Sequence, residues 1–274
     1  MKAKYSIARS VLALGLVVTV ATIPGAQAAQ EDYQPEVGQA GKDVVWVPTP
    51  QELVEKMLDM AKVTPKDFVI DLGSGDGRTV IAAAKRGARA LGIEYNPDMV
   101  ELSKRNAAKE GVGDKASFVK ADLFESDFSQ ATVITMFLLS SINLKLRPKI
   151  LDLKPGTRIV SNTFDMGEWA PDETAKVNGC TSWCTAHLWI VPAKAGGTWQ
   201  LPQGELILKQ TFQVINGTLK SGKNAVQVSG KLNGDQISFT AGRAHYTGRV
   251  SGSTMEGTVH SGGNSSKWTA TKKG

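Results

Sequence analysis

The sequence predicts an α/β protein in which a Rossmann-like sheet is followed by a small all-β antiparallel meander or barrel domain. From Phe68 to Asn162, short apolar runs alternate with helical segments, a pattern typical of a parallel sheet covered by helices. From Gly196 onward the helical signals stop, and turn dipeptides recur about every 8–12 residues. Residues 1–28 have the composition of a leader. We therefore predict three parts, residues 1–28, 29–195 and 196–274.

The leader has the parts of a secretory signal peptide. Its basic start contains Lys2, Lys4 and Arg9, and an apolar run over residues 11–23 follows. Residues 26–28, Ala-Gln-Ala, form a small-x-small cleavage site. The apolar run is shorter than the roughly 20 residues that a membrane span needs. We expect cleavage of the signal and an exported, periplasmic protein; the alternative is an inner-membrane protein that is anchored by an uncleaved signal.

Charge is distributed unevenly along the chain. Residues 196–274 contain nine Lys/Arg and three Asp/Glu, a net charge of +6. The whole chain also carries +6 and residues 1–28 contribute +3, so residues 29–195 carry −3. A basic β-domain favours an acidic partner or contact with a membrane surface. The open alternative is a solvated β-domain with lysines on its outer face.

The two cysteines, Cys180 and Cys184, are close in sequence. Export permits a disulfide. The pair fits a turn but not an extended strand, in which the Cα atoms would be too far apart. We predict a local disulfide. The histidines, His187, His245 and His260, are scattered, so the sequence predicts no metal site.

The elements of residues 29–195 follow from apolar periodicity and from residues typical of helix boundaries. Residues 29–44 are polar and contain Pro and Gly, which predicts a flexible lead-in. A helix begins at Thr49-Pro50, since proline is favoured at the first helical position. The predicted strands are 68–72, 90–94, 116–121, 132–137 and 158–162, the further helices are 77–86, 97–110 and 141–153, and an antiparallel hairpin joins 173–178 to 185–191.

The β-domain is predicted from alternating apolar residues between tight turns. The turn signals are Asn216-Gly217, Ser221-Gly222, Asn233-Gly234, Ser251-Gly252 and Gly262-Gly263-Asn264. The stretches between them predict five or six antiparallel strands, within 206–214, 225–230, 236–240, 246–250, 255–259 and 267–271. The sequence leaves open whether this sheet closes into a barrel.

A glycine-rich loop after the first strand carries the chemical signal. Gly73, Gly75 and Gly77 let the backbone turn sharply and approach a ligand, and the following helix offers free N–H groups. Asp71 and Asp76 flank the glycines, and their negative charge disfavours the pyrophosphate of a dinucleotide. The same charge suits S-adenosylmethionine (SAM), which carries an ammonium and a sulfonium. We therefore predict SAM as the cofactor.

The run from Val69 to Arg78, Val-Ile-Asp-Leu-Gly-Ser-Gly-Asp-Gly-Arg, resembles motif I of the seven-strand (class I) SAM-dependent methyltransferases. The similarity covers residues 45–192. Glu94 ends the second strand, where the family has an acid that binds both ribose hydroxyls, and Asp122 follows the third strand, where an acid contacts the adenine amine. The resemblance implies that Asp71 lies near the amino acid end of SAM. The cofactor-binding residues that we predict are Thr49, Asp71, Gly73, Ser74, Gly75, Gly77, Glu94 and Asp122.

Three further segments resemble one narrower group of this family. They are Pro48-Thr49-Pro50, the segment from Phe137 to Pro148 and the run from Gly156 to Val160. The group comprises mitochondrial lysine methyltransferases that modify the c-type subunits of ATP synthase and the adenine nucleotide carrier, with their bacterial relatives. The resemblance implies a protein lysine as acceptor. That group is membrane-embedded and lacks a β-rich tail, whereas the whole chain resembles exported bacterial methyltransferases, so a small-molecule acceptor stays open.

The methyl acceptor is expected beyond the fourth and fifth strands, where the candidate residues are Phe137, Asn143, Asp165 and Trp169. Phe137 could stack on a cationic acceptor or belong to the core, and Asp165 could act as a base or lie in a turn. The Asn/Asp-Pro-Pro-Tyr motif of base and glutamine methyltransferases is absent from residues 136–140, so we expect no nucleic-acid acceptor. The sequence therefore predicts a SAM-dependent methyltransferase. The alternative is an exported SAM- or nucleotide-binding module whose β-domain carries a binding function, because SAM is made in the cytoplasm.

Overall fold

The computed structural model describes Met1 and residues 33–273. The rest of the predicted signal peptide, its cleavage site and lead-in residues 29–32 lie outside the described residues. Within the described part, no helix combines the length and the apolar composition that crossing a membrane requires.

A seven-stranded mixed sheet positions the candidate site. Its strands are β1 (Phe68–Leu72), β2 (Arg89–Glu94), β3 (Ala116–Lys120), β4 (Val133–Met136), β5 (Arg158–Asn162), β6 (Glu173–Lys176) and β7 (Thr185–Ile190). Their order is β3-β2-β1-β4-β5-β7-β6. Strands β1 to β5 are parallel, and β7 is antiparallel to both β5 and β6. The strand order reverses between β1 and β4, and the crevice at the carboxyl ends there is where open α/β sheets bind ligands.

Four helices accompany the sheet, and their boundaries follow from residues that the sequence places there. They are α1 (Gln51–Met60), α2 (Arg78–Lys85), α3 (Pro97–Lys109) and α4 (Ser140–Leu151). The Asn96 side chain accepts a hydrogen bond from the Asp98 backbone N–H at 2.9 Å, which caps α3, and Pro97 takes the first helical position. Leu53, Val54 and Met57 on one face of α1 are buried. Helix α1 contacts β5 and β7, so burial of this apolar face attaches it to the sheet.

The turn between β6 and β7 contains the predicted local disulfide. Cys180 and Cys184 are bonded, with their Cα atoms 5.7 Å apart. Trp183 lies inside this small ring at a φ of +56°, a left-handed conformation that residues other than glycine rarely adopt. The bond therefore closes around a backbone that a free turn would seldom populate.

Residues 197–272 form a closed barrel of eight antiparallel strands. The strands are β8 (Gly197–Leu201), β9 (Gly204–Thr211), β10 (Val214–Ser221), β11 (Asn224–Asn233), β12 (Gln236–Ala241), β13 (Ala244–Ser251), β14 (Thr254–Ser261) and β15 (Asn264–Lys272). Pairing of β15 with β8, Thr271 with Gln200 and Lys272 with Trp199, closes the ring. The barrel alternative is confirmed, but the count of five or six strands was too low.

The predicted turn at Asn216-Gly217 is wrong, because both residues lie inside β10. The turn falls instead at 212–213, between β9 and β10. A Cβ atom on Gly217 would lie 1.9 Å from the carbonyl oxygen of Ile207 on the paired strand. Glycine is therefore required here for close backbone approach within a curved sheet, a use that looks the same in sequence as a turn glycine.

The barrel contacts the loop that follows β5 through the β9–β10 turn. The ring of Phe212 stacks on Trp169, with centroids 5.8 Å apart, and the Arg147 guanidinium lies 5.3 Å from the Phe212 centroid. The Gln213 side-chain amide donates to the Ala170 carbonyl at 2.8 Å. Phe212 occupies the first turn position at a φ of +52°. This backbone conformation is strained for an aromatic residue. We infer that the contacts of the Phe212 ring, and not the conformation of the turn, explain why phenylalanine occupies this position.

Candidate functional site

The glycine loop connects β1 to α2 and folds back over β2. The backbone N–H groups of Gly73 and Ser74 both donate to the Ile93 carbonyl, at 2.9 and 3.1 Å. The Ser103 hydroxyl donates to the Gly75 carbonyl at 2.9 Å. These bonds fix the loop at the carboxyl edge of the sheet, where Gly73, Ser74 and Gly75 line one pocket. Gly77 is the N-cap residue just before α2, at a φ of +83°, and is not among the residues that line the pocket.

Asp71 lies at the base of this pocket and is buried. Its carboxylate accepts a hydrogen bond from the Thr135 hydroxyl of β4 at 2.6 Å. The pKa of Asp71 is raised to about 7, chiefly by burial, and the carboxylates of Glu94 and Asp76 also raise it. A buried acid that is half ionised near neutral pH is suited to bind a cation. A bound cation stabilises the carboxylate anion in place of the water that burial excludes.

Glu94 ends β2 and is held by two backbone donors. The N–H of Gly75 donates to one carboxylate oxygen and the N–H of Asn96 to the other, each at 2.9 Å. Every carboxylate oxygen can accept a second hydrogen bond. Glu94 is therefore oriented in the pocket and retains acceptor capacity for a diol, as the family resemblance implies.

Asp122 follows β3 and lines the same pocket. It forms an ion pair with Lys42, whose hydrogen bond is the main cause that lowers the pKa of Asp122. The Lys42 ammonium also lies 5.1 Å from the Tyr95 ring centroid. Asp122 is therefore placed where the family has an adenine-binding acid, beside an exposed aromatic ring.

The lead-in covers the pocket, and our prediction of a flexible segment is wrong for its described part, residues 33–44. The Gly38 N–H donates to the Trp46 carbonyl at 2.8 Å, and Ala40 bridges to Val45. A Cβ on Gly75 would lie 2.6 Å from Trp46 Nε1, so the indole packs directly on the glycine loop. The apolar run of residues 44–47 was the overlooked signal.

Thr49 lines the pocket from the start of α1. Its hydroxyl accepts a hydrogen bond from the Asn162 amide at 3.3 Å, and its carbonyl accepts one from Arg78 at 2.8 Å. Arg78 in turn pairs with Asp76 at 2.6 Å. These contacts tie the segment before α1 to the glycine loop. Sequence reasoning included Arg78 in the loop motif without a role, and it missed Lys42, Trp46, Tyr95 and Thr135 as residues of this region.

The four acceptor candidates lie in different environments. Phe137 lines the pocket and contacts two other aromatic rings. Asn143 is buried, and its amide donates to the carbonyls of Phe164 and Asp165. The Asp165 carboxylate is exposed and accepts from the Gly167 N–H at 3.1 Å, so it lies in a turn. Trp169 is fully buried between Trp189 and the barrel, which corrects its placement at the acceptor.

The pocket residues fit SAM by the chemistry of their donors and acceptors. Asp71, Glu94 and Asp122 all line one pocket, so their carboxylates are available for the ammonium, the ribose diol and the adenine amine that the family resemblance assigns to them. The Ser74 hydroxyl is buried there and has no hydrogen-bond partner among the described residues. A buried polar group without a partner is costly unless a ligand or water satisfies it. The roles of the eight predicted cofactor residues stay predictions that this geometry accommodates.

Comparison with known proteins identifies methyltransferases that are similar to part of this chain. The family model described as the ANTKMT methyltransferase domain matches residues 71–173, and one described as DNA methylase matches residues 33–105. A protein-lysine N-methyltransferase of Saccharolobus islandicus is 45% identical over 151 residues, which cover 54% of this chain and 94% of that protein. The human lysine N-methyltransferase of the ATP synthase c-type subunit is 34% identical over 139 residues, covering 50% of this chain and 59% of that protein.

A solved structure gives the same result for the fold. An RNA methyltransferase from Salinibacter ruber, crystallised with S-adenosyl-L-homocysteine, is 49% identical with a TM-score of 0.51. The match covers 54% of this chain and 95% of that chain. The chain thus spans almost all of the Saccharolobus and Salinibacter relatives but about three fifths of the human one. These relatives are all methyltransferases, and their names differ in the acceptor.

Proposed function

The chain belongs to the SAM-dependent methyltransferases with an ANTKMT-type domain, and from this premise we propose that it methylates lysine side chains of envelope proteins. The observation that carries the lysine acceptor is the 45% identity to a protein-lysine N-methyltransferase over 94% of that relative. The binding-module alternative is not favoured, because the relatives of the sheet are enzymes.

Three acids hold the cofactor in this proposal. Asp71 binds the ammonium of SAM, Glu94 the ribose hydroxyls and Asp122 the adenine amine. SAM, when bound, supplies a methyl group that is already activated by attachment to a cationic sulfur. The chain's own residues need only orient the acceptor and exclude water. Trp46, which packs over the glycine loop, contributes to that exclusion.

The lysine acceptor must present a neutral amine, because its lone pair forms the new bond. Lysine arrives as the ammonium and loses a proton to solvent before the transfer. Removal from water and the positive charge of the SAM sulfonium favour this loss, because both lower the pKa of the amine. Nucleic acid is the competing acceptor, since the Salinibacter relative is an RNA methyltransferase. Residues 29–195 carry a net charge of −3, which disfavours a phosphate backbone and favours a cationic side chain.

We also propose that the enzyme acts outside the cytoplasm. The leader composition supports export, and the disulfide between Cys180 and Cys184 is of the kind that persists in oxidising compartments. The +6 charge of residues 196–274 suits an anionic membrane surface, near which envelope acceptors lie.

The acceptor class is tested by incubating the full chain with methyl-tritiated SAM and either envelope proteins or total RNA. We expect label in the protein fraction, released after acid hydrolysis as Nε-methyl-lysine. The Glu94→Gln variant is the matched control and should give little label, since it keeps the shape but loses the charge. Label in RNA or in small molecules, with none in lysine, would contradict the proposal.

The affinity for SAM is expected to rise with pH through neutrality. The pKa of Asp71 is about 7 in the free protein, and the ionised form binds the ammonium. Below that pKa a proton must be released for binding, so affinity at pH 6 should be about tenfold weaker than at pH 8. Isothermal titration at both pH values measures this. A flat profile would show that Asp71 does not face the cationic end of SAM.

A further inference from the structure

Three aromatic rings form one contiguous cluster on the acceptor side of the sheet. The ring centroids of Phe137 and Phe164 are 5.9 Å apart, those of Phe137 and Trp183 are 5.6 Å apart, and those of Phe164 and Trp183 are 5.5 Å apart. We call these three residues the aromatic cluster. Each follows a different part of the sheet: the end of β4, the end of β5 and the disulfide-closed turn before β7.

The cluster connects the cofactor pocket to the surface. Phe137 lines the pocket at one end. Trp183 is 40% exposed at the other end, which is unusual for so large an apolar side chain. A ligand that reaches the pocket along this wall would contact aromatic carbon over its whole length.

The backbone around the cluster is strained in two places. Trp183 has a φ of +56° and Thr163, next to Phe164, has a φ of +62°. Glycine would relieve this strain at either position, yet neither is glycine. Strained residues of this kind are concentrated at ligand sites. The disulfide and the Asn143 amide, which donates to the Phe164 carbonyl at 3.2 Å, hold the two segments in place.

We propose that the aromatic cluster is the acceptor subsite and that it binds the side chain of a lysine, with the disulfide holding Trp183 as its outer wall. This inference rests on the proposed function. The aliphatic stem of lysine packs on apolar rings, and its ammonium is attracted to their faces. Phe137 places one ring of the cluster at the pocket itself, so a lysine bound along the cluster would present its amine toward the cofactor pocket.

A nucleobase is the other ligand that stacks on aromatic rings. The charge of the surrounding segment favours lysine: the exposed carboxylate of Asp165 adjoins Phe164, and residues 29–195 are net negative at −3. A nucleotide would bring a phosphate into this field. The cluster is therefore assigned to the cationic ligand, and the nucleotide becomes an outcome of the test.

The test observes the indole N–H signals of the full chain by NMR, in the presence of S-adenosylhomocysteine. The Trp183 signal is identified by its loss in Trp183→Leu. The probes are Nα-acetyl-lysine amide and its uncharged analogue Nα-acetyl-norleucine amide, which keeps the aliphatic stem and lacks the terminal amine. We expect the lysine probe to shift the Trp183 signal and to bind about three- to tenfold more tightly than the norleucine probe. Equal affinities, no shift at Trp183, or tighter binding of uridine monophosphate would overturn the assignment.

Reduction tests the role of the disulfide, because Cys180 and Cys184 are the two cysteines of the chain. Reduction of the disulfide by a phosphine should weaken binding of the lysine probe to the wild type several-fold. It should not change the affinity of Trp183→Leu for this probe any further. Val226→Ala, an exposed apolar position on the barrel, serves as the control and should behave as wild type. An equal effect of reduction in Trp183→Leu would show that the disulfide does not act through the tryptophan.

The SAM affinity of each variant separates the two proposals. Trp183→Leu should bind SAM as tightly as the wild type, since Trp183 does not line the cofactor pocket. Normal SAM binding without a lysine contact at Trp183 would refute the subsite and leave the methyltransferase proposal intact. A lysine contact at Trp183 without lysine label in the envelope test would instead refute the proposed acceptor.

Discussion

Replacing Asp71 by Asn is expected to stabilise the fold at pH 8 and to weaken SAM binding by roughly 100-fold or more. Asn has nearly the same shape and can still accept the Thr135 hydrogen bond. It removes the charge that burial disfavours, and with it the partner of the SAM ammonium. A change that improves stability while it removes binding is the signature of a residue kept for function.

The stabilisation should depend on pH with a defined sign. The folded protein holds the Asp71 proton up to a pKa of about 7, whereas the ordinary value is 3.8. Between these two values the folded state binds more protons, so wild-type stability attributable to Asp71 falls as pH rises and is constant above about 7. The variant lacks this loss. The free energy of unfolding of Asp71→Asn should exceed that of the wild type by nearly zero at pH 4 and by about 2–4 kcal/mol at pH 8.

Urea unfolding at pH 4, 6 and 8 measures the stability, and isothermal titration measures SAM binding. Thr135→Val is the companion variant, because it removes the hydroxyl that stabilises the Asp71 anion and should raise the pKa further. A destabilised Asp71→Asn protein at pH 8 would mean that the carboxylate has a stabilising partner in the fold and is not an electrostatic cost.

Gly77→Ala is expected to destabilise the protein by about 2–5 kcal/mol. Gly77 has a φ of +83°, where an alanine is strained. The added Cβ would lie 2.8 Å from both the Phe118 ring and the Ser103 Cβ, in the packed region behind the loop. Strain and overpacking therefore act together, and the start of α2 should be displaced.

Gly111→Ala is the matched control for this prediction. Gly111 also has a positive φ, +69°, but an added Cβ would meet nothing within 4 Å. The Gly111→Ala variant should lose only about 1–2 kcal/mol in its free energy of unfolding, because backbone strain acts alone there. Urea unfolding of both variants separates the two contributions. Equal losses would show that Phe118 and Ser103 yield to the methyl group and that packing behind the loop is loose.

The cofactor end of the site could be predicted from the sequence because its residues are tied to strand ends. Asp71, Glu94 and Asp122 each lie at or just beyond the carboxyl end of a strand, and a parallel sheet brings such ends to one edge. The glycine loop is equally readable, since Gly73, Gly75 and Gly77 lie within five consecutive residues and each adopts a positive φ. The solved relatives are methyltransferases, in agreement with SAM as the cofactor.

The aromatic cluster could be predicted only in part: Phe137 was an acceptor candidate from the sequence, whereas Phe164 and Trp183 were not. Phe137, Phe164 and Trp183 are far apart in sequence and share no spacing pattern. Trp169 was also a candidate from the sequence, but it is buried against Phe212 of the barrel. The lead-in was also misjudged, because the order of this polar segment depends on the apolar run at residues 44–47, whose Trp46 packs on a loop that is distant in sequence.

By itself, the sequence determined the alternation of strands and helices, the SAM-type loop with its acids, and the presence of a β-rich tail. These features depend on periodicity and on short-range chemistry, which neighbouring residues carry. Only the tertiary structure decided that the tail closes into a barrel, that residues 39–48 line the pocket and that three distant aromatic residues meet. Closure and assembly depend on the pairing of strands and the packing of side chains that are remote in the chain, and no local pattern encodes them.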